Sequence, residues 1–111
     1  MAANYHNAKN LRVIIDRNRI QNDDFMGVQM EIGDIGAKFE SFGWSVREVD
    51  GHNMTELVDT LRWTETSDLG PIAIIANTTK GRGVSFMEDN PEFHGKAPDD
   101  EQLAIALEEL S

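Results

Sequence analysis

The chain has 111 residues, 40% of them hydrophobic, which suits one small domain with its own core. Its 20 acidic residues against 10 lysines and arginines give a net charge of −10, a surface that repels nucleic acid and anionic lipid, so phosphate could be bound only locally. With no cysteine, disulfides, thiolate metal sites and a cysteine nucleophile are excluded.

The opening segment MAANYHNAKN has no apolar signal core, and no apolar run approaches the roughly 18 residues of a membrane span. A cytoplasmic protein is therefore expected. LRVII (11–15) and IAIIA (72–76) are short, nearly continuous apolar runs, the pattern of strands buried on both faces of a parallel sheet. WSVREV (44–49) is a more polar strand, placed nearer an edge.

Helical periodicity fills the intervals. Ile32, Ile35, Phe39 and Phe42 form one apolar stripe, with Gly43 as its stop. Met54, Leu57, Val58 and Leu61 form a second, opened by Asn53 and Glu56 in a capping-box spacing. The last helix has Asp99 as N-cap, Gln102 three residues on, and an apolar face of Leu103, Ile105, Ala106, Leu107 and Leu110. Glu108 and Glu109 stand at its negative end, a small electrostatic cost. Strands alternating with helices imply an α/β fold of three layers: a mostly parallel sheet with helices on both faces. The acids Glu88, Asp89, Glu92, Asp99, Asp100, Glu101, Glu108 and Glu109 cluster late and read as a solvated surface.

Ligands of such sheets bind beyond the carboxyl ends of the strands. Here those loops are 16–29, 50–53 and 77–98. In the first, DRNRIQND, Asn18 could offer an amide oxygen to a hard cation and a nearby backbone carbonyl a second. Asp and Asn are also ordinary turn formers, so the loop alone does not settle the matter. NTTKGRGVSF (77–86) carries Lys80, Arg82 and two glycines, but is neither a Walker loop nor GxGxxG. His94, in NPEFHGKAP, could bind phosphate oxygens or move protons; His52 and His6 are alternatives.

Taken together, NAKNLRVIIDRNRIQND, FESFGWSVREVDGHN, IAIIANTTKGRGVSFMEDNPEFHGKAP and DDEQLAIALEEL resemble, in order and over the whole chain, the N-terminal diphosphate-binding domain of the transketolases. GVSFMEDNPEFHGKAP is the most specific stretch, and it is most like the transketolases encoded as two sections. The resemblance implies a single partial domain over 1–111 that binds thiamine diphosphate through Mg²⁺. It assigns the metal to the Asn18 side chain and the Ile20 backbone carbonyl. It places His94 and Gly95 near the phosphates and the substrate channel, with His94 as the candidate catalytic group. Four departures from the family pattern stand out. The GDG motif with its metal-ligating aspartate is not in this sequence, nor is a second, aminopyrimidine-binding domain. Asp24 stands where the family usually has glycine, and Asn77 where it usually has lysine. The expectation is a truncated transketolase-like domain that is not catalytic alone. It would be either a section of a split enzyme completed by a second polypeptide, or a folded remnant that pairs as a homodimer. A small α/β domain with a new ligand is a third reading. No nucleic acid or membrane partner is expected.

Overall fold

A computed structural model describes residues 1–21 and 24–111. In chain order these form α1 (Ala2–Tyr5), β1 (Arg12–Arg17), β2 (Ile20–Gln21), β3 (Asp24–Phe25), α2 (Met26–Gln29), α3 (Ile35–Ser41), β4 (Ser45–Asp50), α4 (Met54–Thr66), β5 (Ile72–Asn77), a 3₁₀ turn at Pro91–Phe93, and α5 (Asp100–Glu109). They gather into two compact units. One holds residues 1–17 and 32–78; the other holds 18–31 and 79–111.

The first unit is built on a parallel sheet of order β1-β5-β4. The most apolar strand, β5, is central, as its composition requires: Ile72, Ala73, Ile74, Ile75 and Ala76 are all buried. Burying an isoleucine side chain is worth about 1.5–3 kcal/mol, so this strand anchors the unit. Its register sets Ile14 and Arg47 on either side of Ile74, and Ile15 and Glu48 on either side of Ile75. Alternation sends these two rows to opposite faces. On one face, Val49, Ile72, Ile74 and Ala76 pack against Leu57 and Trp63 of α4. On the other, Gly36 of α3 lies so close that an added Cβ would stand 3.5 Å from Ile75 Cδ1 and 3.6 Å from Val46 Cγ1. The expected layering, helices on both faces of a parallel sheet, is what the unit shows.

Three helical details differ from expectation. The first stripe begins later than its apolar spacing suggests: Asp34 caps α3 by accepting from the Ala37 amide at 2.9 Å, which leaves Ile32 outside the helix. On α4 the sheet-facing line is Leu57, Thr60 and Thr64, not Met54, Val58 and Leu61, which are exposed. Threonine is small enough for close approach, and Thr64 satisfies its hydroxyl by donating to the Leu61 carbonyl at 2.7 Å. The Asn53 cap is present, accepting from the Glu56 amide at 3.1 Å. The reciprocal half of the box is not: Glu56 Oε2 accepts instead from the Asp50 amide at 3.3 Å.

In the second unit β2 and β3 pair antiparallel, Ile20 opposite Phe25. β3 packs against the 3₁₀ turn. Residues 79–90 form a knot of turns held by Gly81, whose φ is +70°. The Asp89 amide donates to the Lys80 carbonyl at 2.8 Å, closing the knot. The capping box of α5 is complete: Asp99 accepts from the Gln102 amide at 2.9 Å and donates its own amide to Gln102 Oε1 at 3.1 Å. Of the apolar residues on α5, Ala106 is buried, while Leu103, Ile105, Leu107 and Leu110 are exposed. No helix among the described residues is long and apolar enough to cross a membrane.

Candidate functional site

The residues assigned to the cofactor, Asn18, Ile20, His94 and Gly95, all fall in the second unit. Asn18 follows β1 directly and makes a tight Asx turn, its Oδ1 accepting from the Ile20 amide at 2.9 Å. The turn holds the side-chain oxygen against the backbone of Ile20. An amide oxygen has two lone pairs, so this hydrogen bond leaves one for a cation. Arg19, between them, takes φ +64°, and its carbonyl accepts from the Met26 amide at 2.9 Å. That bond makes Arg19 and Met26 the hydrogen-bonded pair of the β2–β3 ladder. Ile20 and Phe25 are then the non-bonded pair, with the Ile20 carbonyl directed away from β3.

These two oxygens are the right chemistry for Mg²⁺, which wants about six hard oxygen ligands, several of them usually water or phosphate. They are a partial set. Among the described residues no group of three His, Asp or Glu side chains converges on a possible metal position. The end of the same loop, Asn22 and Asp23, lies outside the described residues.

His94 is the C-cap of the 3₁₀ turn; its amide donates to the Pro91 carbonyl at 2.9 Å, and its side chain is exposed. Gly95 follows at φ +79° with open space around it. The turn is set by Asn90, which accepts from the Glu92 amide at 3.0 Å and donates to the Phe86 carbonyl at 3.1 Å. Phe93 packs on Phe86 with ring centroids 5.4 Å apart, and Lys96 Nζ lies 5.3 Å from the Phe93 ring. β3 contacts both β2, which holds Ile20, and the 3₁₀ turn that His94 caps. The other histidines lie elsewhere: His6 stands edge-on to Tyr5, and the His52 amide donates to Asp50 Oδ1 at 2.9 Å in the turn after β4.

The glycine-rich basic turn is not an open phosphate cradle. The Gly83 amide donates to Glu88 Oε2 at 3.4 Å, and the Ser85 amide to Glu109 Oε2 at 2.7 Å. Two carboxylates of the chain occupy donors that an anion would use. The Ser85 hydroxyl and then its amide hold the Glu109 carboxyl below its ordinary pKa. Glu109, which sequence alone sets as an unfavourable charge at a helix end, is thus a fastener between α5 and the loop.

Sequence reasoning missed a polar row at the carboxyl end of the sheet in the first unit. Thr78 donates its hydroxyl to Asp16 in a short hydrogen bond. Arg17 Nη1 donates to Asn77 Oδ1 at 3.3 Å and lies 3.9 Å from Glu48 Oε2, while Asn77 Nδ2 donates to the same Glu48 oxygen at 3.3 Å. The signal was the register, since Arg17 and Asn77 are paired residues of neighbouring strands. Asn77 fills its place by bridging an arginine and a glutamate.

A parallel sheet of order β1-β5-β4 with helices on both faces defines the class of fold, an α/β domain of three layers. Its family is also defined, because residues 1–110 match the transketolase, thiamine diphosphate binding domain, and the chain belongs to that family. It is 37% identical over 110 residues to one of the subunits of an apulose-4-phosphate transketolase of Actinobacillus succinogenes, covering 99% of this chain and 40% of that one. It is 36% identical over 94 residues to a human transketolase, covering 85% of this chain and 15% of the relative. The crystal structure of a Campylobacter jejuni transketolase superposes with a TM-score of 0.72 at 22% identity, over 97% of this chain and 21% of that one, a likeness of fold. The chain therefore spans less than half of each of these relatives.

Proposed function

We propose that this chain is the metal- and diphosphate-binding section of a transketolase-type assembly. It would take part in two-carbon ketol transfer between sugar phosphates only when a complementing section supplies the remaining ligands. Thiamine diphosphate, when bound, supplies the carbanion stabilisation that such a transfer needs. The chain's own share is binding. The Asn18 amide oxygen and the Ile20 carbonyl hold Mg²⁺ on the diphosphate; His94, exposed beside Gly95, hydrogen-bonds phosphate oxygens or exchanges protons at the rim of the site. The observation that supports this reading is the Asx turn, in which Asn18 Oδ1 accepts from the Ile20 amide and so lies beside the backbone of Ile20. The Actinobacillus succinogenes relative, itself one section of a transketolase, supports the section reading. A cytoplasmic setting fits sugar phosphate substrates.

The test is reconstitution. The chain is mixed with a complementing transketolase section, and Mg²⁺-dependent thiamine diphosphate binding is followed by calorimetry, with ketol transfer as a second readout. Asn18→Ala should weaken cofactor binding at least tenfold, on the scale of about 10–100-fold seen when metal-site residues are altered. His94→Ala should lower turnover and weaken cofactor binding less than Asn18→Ala does. An Asn18→Ala assembly that binds as tightly as the unaltered one contradicts the assignment. A second reading, a folded domain without catalysis, is favoured by the occupation of the Gly83 and Ser85 amides by Glu88 and Glu109.

A further inference from the structure

We infer that Asn90 is a positioning residue for His94: its side-chain amide ties the 3₁₀ turn that His94 caps to the Phe86 carbonyl. The inference rests on the proposed role of His94 at the rim of the site. Every bond it uses lies within residues 84–94.

A 3₁₀ turn of three residues does not hold its own geometry, because its hydrogen bonds are few and poorly aligned. Here they run from the Phe93 amide to the Asn90 carbonyl at 3.4 Å and from the His94 amide to the Pro91 carbonyl at 2.9 Å. Pro91 fixes one φ angle, and the rest of the restraint must come from outside the turn. Asn90 supplies it with every polar group it has. Its backbone amide donates to the Met87 carbonyl at 3.1 Å, and its carbonyl accepts from Phe93. Its Oδ1 accepts from the Glu92 amide at 3.0 Å, and its Nδ2 donates to the Phe86 carbonyl at 3.1 Å.

The two side-chain bonds do different jobs. Oδ1 caps the turn, a task that Asn, Asp and Ser perform about equally. Nδ2 reaches back to Phe86, and of those three residues only Asn accepts at one side-chain atom and donates from another. Phe86 holds the turn a second time through its ring, which packs on Phe93 with centroids 5.4 Å apart. Phe86 in turn belongs to a loop wound about buried Val84, whose carbonyl accepts from the Met87 and Glu88 amides, each at 2.9 Å. The line of restraint therefore runs from Val84 through Phe86 to Asn90 and Phe93, and ends one residue before His94. An exposed ring at the end of such a turn takes its position from the backbone that carries it.

The test separates the two jobs of Asn90. Asn90→Ser keeps a neutral cap and removes the amide arm. Asn90→Asp keeps the shape and the cap but cannot donate to Phe86, and agreement between the two variants excludes charge as the cause. In the full chain alone, the His94 amide should exchange about tenfold faster in both variants. The Glu92 amide, still capped, and the Asp89 amide, bonded to Lys80, should exchange as before. In the reconstituted assembly both variants should lower turnover about tenfold, the cost of a misplaced group. Added to His94→Ala, Asn90→Ser should lower turnover by no more than about twofold further, because the pair acts as one unit. An Asn90 that only keeps the loop folded would lower turnover equally with and without His94, and that result overturns the inference. So does unchanged exchange of the His94 amide. If His94→Ala lowers turnover and the Asn90 variants do not, the inference falls and the role of His94 stands. If His94→Ala leaves turnover intact, that role falls and the inference falls with it.

Discussion

Ile14 and Ile74 are the same residue type, side by side in register on neighbouring parallel strands, yet one is 56% exposed and the other 1%. Truncating each to alanine therefore measures the sheet order itself. Ile74 sits among Val49, Ile72, Ala76, Leu57 and Trp63, which cannot all close on the vacated space. Ile74→Ala should cost about 2–5 kcal/mol, transfer and cavity together. Ile14→Ala, in solution dilute enough to be monomeric, should cost no more than about 0.5 kcal/mol, as at other exposed positions. With a urea slope of about 2 kcal/mol per M, the Ile74 variant should unfold at a midpoint lower by about 1–2.5 M and the Ile14 variant within about 0.3 M of the parent. Equal shifts would refute the placement of β5 between β1 and β4. So would a larger shift for Ile14.

The remaining predictions concern the second unit. Asp99→Ala removes one half of the α5 capping box and should cost about 1 kcal/mol, read as a lowered thermal midpoint. Gly81→Ala should destabilise the 79–90 loop, because φ is +70° and an added Cβ would collide with the Met87 backbone; faster exchange of the Asp89 amide, which closes that loop, is the readout. The Glu109 carboxyl is held below its ordinary pKa in the folded chain, so its contribution is present above the unfolded value of 4.5 and fades as pH falls through the folded one. Ser85→Ala should move that titration upward in a carboxyl NMR experiment, and an unmoved titration would show that Ser85 is not the cause.

The sheet was legible because the two apolar runs are long enough, and apolar enough, to be strands buried on both faces, and only one of them stays buried at every position. LRVII reads like IAIIA, but the register leaves Ile14 at an edge, a fact about neighbours that no single run contains. The α5 box was legible because Asp99 and Gln102 are three residues apart and both halves are local. The Asn53 box was half legible, since Glu56 had a second donor in Asp50, brought close only by the turn between β4 and α4. The stripe on α4 was misplaced because hydropathy weighs Met54 and Leu61 above Thr60 and Thr64, while close packing rewards small side chains. For the site, Asn18, Ile20, His94 and Gly95 came from family resemblance, and the Asx turn gives the first two a physical basis. The Arg17–Asn77–Glu48 row was invisible because it joins three strands through register.

The most direct test of a partial metal site is calorimetric titration of the chain alone with thiamine diphosphate, with and without Mg²⁺. With two protein oxygens for a cation that wants about six, no saturable binding is expected below about 1 mM. Saturable, Mg²⁺-dependent binding at low micromolar concentration by this chain alone would contradict that expectation.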